Sequence, residues 1–95
     1  MKRDDVLQTL RSHKGELTAK YAISRLGIFG STARDEATES SDIDIIVEMP
    51  PDAFLMVHVK DELEDLLVAP VDLIRYTKYL NPLLRQRIDR DAIYV

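Results

Sequence analysis

Asp42 and Asp44 are separated by one residue, and ahead of them stands a Gly-Ser pair, Gly30 and Ser31. Residues two apart on a strand project from the same face, so their carboxylates lie ~7 Å apart at the backbone. Two negative groups so placed repel unless a cation sits between them, and a hard divalent ion is the natural occupant. Mg²⁺ prefers oxygen ligands and is usually held by one or two carboxylates plus substrate phosphates, so such a pair can present metal to a nucleotide. Asp72 is the third candidate ligand, because a carboxylate flanked by Val71 and Leu73 in an otherwise apolar strand is seldom there for packing. Three acidic groups on one sheet face would hold two metal ions, one activating an attacking oxygen and one bridging phosphates and leaving group.

Gly30 and Ser31 supply the other half of that chemistry. Glycine lets backbone N–H groups approach a phosphate closely, while the serine hydroxyl and the start of a helical turn add donors. Arg34, one turn later, is placed to neutralise phosphate charge. No Gly-Lys-Ser/Thr follows, so the stretch is not a Walker A loop. Taken singly, Gly-Ser reads as a turn and Asp-x-Asp as a strand entry; their conjunction with Asp72 is what favours a site. His13 and His58 are isolated and read as surface or packing residues. Tyr76 and Tyr79 follow Asp72 closely and are candidates for lining the nucleotide site, against the simpler reading as core or rim aromatics.

The elements that must position these residues follow from periodicity. Leu7, Leu10, Leu17 and Tyr21 recur at helical spacing over residues 3 to 21, with Gly15 a possible break, so one long helix or two short ones fit. "ISRLGIF" predicts a short strand ending at Gly30, with Ser31 as N-cap of a brief helical turn. "DEATESS" reads as a loop. In residues 42 to 49, Ile43, Ile45 and Val47 alternate with Asp42, Asp44, Ile46 and Glu48, the signature of a strand with one strongly apolar face. After Pro50 and Pro51, Leu55, Met56, Val59, Leu63, Leu66 and Leu67 mark an amphipathic helix. "VDLIRY" after Pro70 predicts a third strand, and Pro82 suits the first turn of a last helix. The alternation predicts an α/β (α+β) fold, a small sheet covered by helices. A helix joins the second and third strands, which are therefore expected to be parallel.

The chain has 95 residues, 45% apolar, enough for one compact domain over residues 1–95 and too few for a catalytic module plus a substrate domain. Thirteen basic and 17 acidic residues give a formal charge of −4, which argues against gripping a nucleic-acid backbone. From Leu73 onward the balance reverses, with Arg75, Lys78, Arg85, Arg87 and Arg90 against Asp89 and Asp91. That tail could face an acidic partner, with a solvated helix face as the simpler explanation. The absence of cysteine excludes disulfides and thiol chemistry and fits a reducing compartment. No stretch approaches the length of a signal peptide or membrane span, so a cytoplasmic location is expected.

"FGSTARDEATESSDIDIIVEM" resembles the signature of the DNA polymerase β-like nucleotidyltransferase superfamily, Gly-Ser followed some ten residues later by Asp-x-Asp. In length and layout the chain is similar to the smallest branch, the minimal nucleotidyltransferase (MNT) proteins of prokaryotes. The resemblance runs from about Leu17 to Val95 and is specific over residues 28 to 48. It implies a mixed sheet flanked by helices, Gly30 and Ser31 on the triphosphate of ATP, Asp42 and Asp44 as Mg²⁺ ligands and Asp72 as third carboxylate. It also implies an antitoxin, paired or assembled with a HEPN-domain ribonuclease toxin, that transfers AMP from ATP to a tyrosine of its partner. The alternatives are an antitoxin that works by occlusion alone, and nucleotidyl transfer to a small molecule such as an aminoglycoside. One position departs from the pattern: Asp35 stands where many relatives have glycine, adding negative charge near the phosphate site.

Overall fold

The computed structural model describes residues 1–95. Helix α1 (Arg3–Tyr21) leads through a bend into strand β1 (Arg25–Ile28), and a four-residue turn, α2 (Gly30–Ala33), follows at once. Then come β2 (Ile43–Glu48), α3 (Ala53–Leu67), β3 (Val71–Arg75), α4 (Pro82–Asp91) and a two-residue strand, β4 (Ile93–Tyr94). The strands form one mixed sheet in the order β3-β2-β1-β4. β1 is antiparallel to both its neighbours, while β2 and β3 are parallel, as the helical connection between them requires.

Helix α1 is continuous through Gly15, which is exposed and has no neighbouring atom within 4 Å where a Cβ would stand. Nothing packs there to bend the helix, so the glycine only lowers its intrinsic stability. One face carries Val6, Leu7, Leu10, Leu17 and Tyr21 into the core. Helix α3 starts at Asp52, whose carboxylate accepts the N–H of Leu55 at 3.1 Å, and buries Val59, Leu63 and Leu67. Asn81 caps α4 in the same way, accepting from Leu83 at 2.9 Å, with Pro82 in the first turn where no donor is lost.

Helices α1 and α3 pack together over one sheet face, against Leu26, Ile28, Ile43, Ile45 and Val47. Helix α4 lies on the other, where Ile88 meets Phe29 and Ile46. No helix is long and apolar enough to cross a membrane.

Two expectations need correction. β1 is shorter than "ISRLGIF", because Ser24 is in a bend and Phe29 already turns toward α2. Ser31 is not an N-cap: Phe29 occupies that position without a side-chain cap, and the serine lies within the turn. β4 is an addition to the expected elements. It pairs with β1 at Gly27, where a Cβ would meet the Ile93 carbonyl oxygen at 2.5 Å and Tyr94 Cα at 2.9 Å.

Candidate active site

The sheet places the chemistry-bearing residues at one end of β2, on the face that α4 covers only in part. β1 ends there, and the chain reverses through Gly30, whose φ is +57°. Both backbone and space demand glycine at this position. A Cβ would stand 2.8 Å from Oδ2 of Asp44, and left-handed backbone is costly for most other residues. The two ends of the stretch singled out in the sequence therefore meet: Gly30 abuts the Asp44 carboxylate, and Ser31 Oγ donates to Asp44 Oδ2 at 3.3 Å.

Asp44 is half-buried, Asp42 is exposed just before β2 begins, and Asp72 is exposed on the edge strand β3. The parallel register sets Asp44 directly opposite Asp72. Alternation then sends Val71 into the core and leaves Asp72 on the open face. Burial pushes the Asp44 carboxyl above the ordinary carboxylate range, the charges of Asp72 and Asp42 push it the same way, and the bond from Ser31 and the Thr32 amide oppose them. Asp44 thus senses both other carboxylates, and a cation there would relieve the repulsion.

The start of β3 is held in place from two sides. Glu64 of α3 accepts the Val71 N–H at 2.9 Å, and the Pro70 carbonyl accepts the Ile43 N–H at 2.9 Å. Nothing in the spacing of α3 marks Glu64 for this task. Thr32 was also missed; its hydroxyl is buried and accepts the Asp44 N–H at 3.0 Å. Its only sequence signal is a position inside the turn that joins the Gly-Ser pair to the carboxylates.

Arg34 sits at the seam between α2 and α4. Its guanidinium donates to Asp91 at 2.6 Å and to Glu36 at 3.1 Å. Asp35 adopts a left-handed backbone, φ +59°, which explains why glycine suits this position. Its carboxylate accepts the N–H of Arg3 at 3.0 Å, at the start of α1, so a hydrogen bond directs its charge to a helix N-terminus. The Tyr76 hydroxyl donates to Asp89 at 2.8 Å, which ties it to α4, and Tyr79 is 83% exposed.

No three His, Cys, Asp or Glu side chains close into a complete metal cage. The donor set is nonetheless one that suits Mg²⁺: hard carboxylate oxygens on an open face, with coordination left over for water and phosphate oxygens. The surface hollow, about 540 Å³, lies elsewhere, between the start of α1 and residues 35–39, and none of the three carboxylates lines it.

A glycine turn, a serine hydroxyl and carboxylates opposed across parallel strands thus stand together at one end of the sheet. The nucleotidyltransferase domain family matches residues 10–95, and the chain belongs to that family. It is a nucleotidyltransferase of the minimal kind. A Methanocaldococcus jannaschii protein provisionally named a protein adenylyltransferase, MJ0126, is 40% identical over 93 residues, covering 96% of this chain and 95% of its own. The protein adenylyltransferase MntA of Thermococcus cleftensis is 32% identical over 94 residues, covering 97% and 94%. Among solved structures, one described as a minimal nucleotidyltransferase superposes with a TM-score of 0.80 at 34% identity, covering 98% of this chain and 95% of that one. A toxin–antitoxin structure with AMP-PNP shares the fold, with a TM-score of 0.68 at 20% identity over 99% of this chain and 72% of that one.

Proposed function

We propose that residues 1–95 act as one cytoplasmic domain that transfers AMP from ATP to a tyrosine hydroxyl of a partner protein, a HEPN ribonuclease toxin, and so silences it. The observation that carries this reading is the register that opposes Asp44 to Asp72 next to the Gly30 turn. It is supported by relatives named protein adenylyltransferases and by the likeness in fold to a chain of a toxin–antitoxin structure with AMP-PNP. The carboxylates stand on an open face outside the surface hollow, which suits an acceptor that brings its own side chain.

In this reading the tyrosyl oxygen forms a bond to the α-phosphorus of ATP. The bond from that phosphorus to the bridging oxygen breaks, pyrophosphate leaves, and the tyrosine proton passes to solvent or base. Gly30 and Ser31 bind the triphosphate through the turn's N–H groups and hydroxyl, and Arg34 balances phosphate charge only by exchanging its contacts with Asp91 and Glu36. Asp42, Asp44 and Asp72 would hold Mg²⁺, one or two ions. When bound, the metal neutralises charge developing on the phosphates and favours ionisation of the attacking hydroxyl. Asp72, exposed on the edge strand, stands on the side from which the acceptor approaches.

The test is transfer of label from α-³²P-ATP to a co-purified partner in Mg²⁺, with Asp42→Asn and Asp44→Asn as the comparison. Both substitutions should abolish labelling and the gain of AMP mass on the partner. Persistent labelling would sink the metal-dependent reading, and full neutralisation of the toxin by both variants at equal dose would point to occlusion instead. Label recovered only on an aminoglycoside would move the acceptor to a small molecule.

A further inference from the structure

The β1–β2 ladder is broken at its last rung, and a side chain mends it. Phe29 donates its N–H to the Asp44 carbonyl at 3.1 Å. In an antiparallel hydrogen-bonded pair the same two residues exchange both bonds, so the Asp44 N–H would go to the Phe29 carbonyl. That carbonyl has already left the sheet: it accepts the Ala33 N–H at 3.2 Å as α2 begins. The Asp44 N–H would be stranded, yet Thr32 Oγ1 lies 3.0 Å away and accepts it. Thr32 is 1% exposed and is the one polar side chain in the core, so water does not compete for this contact.

We propose that Thr32 is a positioning residue for Asp44, its hydroxyl replacing a backbone carbonyl so that the chain can turn into α2 without releasing the metal-binding strand. The inference rests on the transfer reading above. Two adjacent residues of α2 then fix Asp44 at separate points, Ser31 at the carboxylate and Thr32 at the backbone. Such supporting contacts typically alter metal affinity or activity by about 10- to 100-fold when removed.

The experiment compares Thr32→Val, which keeps the shape and loses the acceptor, with Thr32→Ser, which keeps the hydroxyl and loses the methyl. Amide hydrogen exchange at Asp44 is read by NMR against the neighbouring Ile45 and Ile46 amides. Mn²⁺ binding with a non-hydrolysable ATP analogue is read by electron paramagnetic resonance, and KM for ATP and kcat are measured in parallel. Thr32→Val should speed exchange at Asp44 by about tenfold and weaken Mn²⁺ by about tenfold or more, with KM for ATP moving less than about threefold. Thr32→Ser should keep exchange and Mn²⁺ affinity within about threefold of the parent. An Asp44 amide that stays protected in Thr32→Val overturns the proposal, as does unchanged Mn²⁺ affinity in a variant whose amide has opened. Should Thr32→Val fail to fold, Thr32→Ser decides alone, since loss of protection and affinity there would assign the role to the methyl group. Asp44→Asn separates the layers: if Mn²⁺ binds it as tightly as the parent, the metal reading falls while the exchange result stands.

Discussion

The two faces of the sheet are built from the same strands and end in opposite states. On the face toward α1 and α3, β2 contributes Ile43, Ile45 and Val47, at most 4% exposed. On the other face it contributes Asp44, Ile46 and Glu48, and α4 alone covers it, so that only Ile46 is fully buried there. Asp44 remains at the uncovered end beside Asp42 and Asp72. One face therefore supplies most of the folding free energy, leaving the uncovered end of the other free to hold charges that repel one another.

Breaking the open face should affect chemistry far more than stability. Asp42→Asn or Asp44→Asn should lower AMP transfer by about a thousandfold or more, measured as single-turnover rate at saturating ATP, with a urea midpoint no lower than the parent's. The packed face should respond in the opposite way. Leu63→Ala empties a site that is fully buried between α1, α3 and the sheet, and should cost about 2–5 kcal/mol in urea unfolding with the rate per folded molecule retained. Ile88→Ala, in the three-residue cluster under α4, should fall at the low end, about 2 kcal/mol, because the smaller cluster can collapse around the gap. Equal costs for the two would remove the contrast.

A third effect follows from the raised Asp44 pKa. Burial, then the charges of Asp72 and Asp42, make the folded protein take up this proton at a higher pH than the unfolded chain does. The associated stabilisation is complete below the ordinary carboxylate value and is lost as pH rises through the folded value. In EDTA at neutral pH, Asp44→Asn should therefore melt no lower than the parent. Its advantage should vanish as pH falls toward about 4. A parent that loses stability relative to Asp44→Asn on acidification would contradict this.

Smallest should be Asp35→Gly. Glycine relieves a left-handed backbone, worth about 1 kcal/mol, and removes the acceptor for the Arg3 N–H, worth a similar amount. Thermal unfolding should shift within about 1 kcal/mol, and transfer should be unaffected. A large gain in activity would show that the Asp35 charge does reach the phosphates.

What could be read from the sequence was whatever a repeating pattern or a local signal carries. Alternation in residues 42–49 placed Asp42 and Asp44 on one face, and a helix between two strands implied the parallel pairing that brings up Asp72. Gly30 and Pro82 were informative because each has a conformational reason for its position. Interactions without a period stayed hidden. Arg34 meets Asp91 57 residues away, and an ion pair between distant segments leaves no pattern. β4 is two residues long, below any alternation test, and its marker is a glycine on another strand. Thr32 works as a backbone substitute, a role that depends on where the Phe29 carbonyl points and not on residue type alone.

The pairing of β2 with β3 also bears on which length changes the chain can accept. Asp72 reaches the open face because three residues, 68 to 70, link α3 to β3, with Val71 turned inward. A residue lost or gained between 68 and 70 can slide β3 by one position, which sends the carboxylate to the packed side and an apolar side chain to the open one. Such a change leaves a sheet that still pairs and an open face without its third carboxylate. The polar loop from 36 to 41 has no such register to keep, so this domain can diversify there and not at the three-residue link.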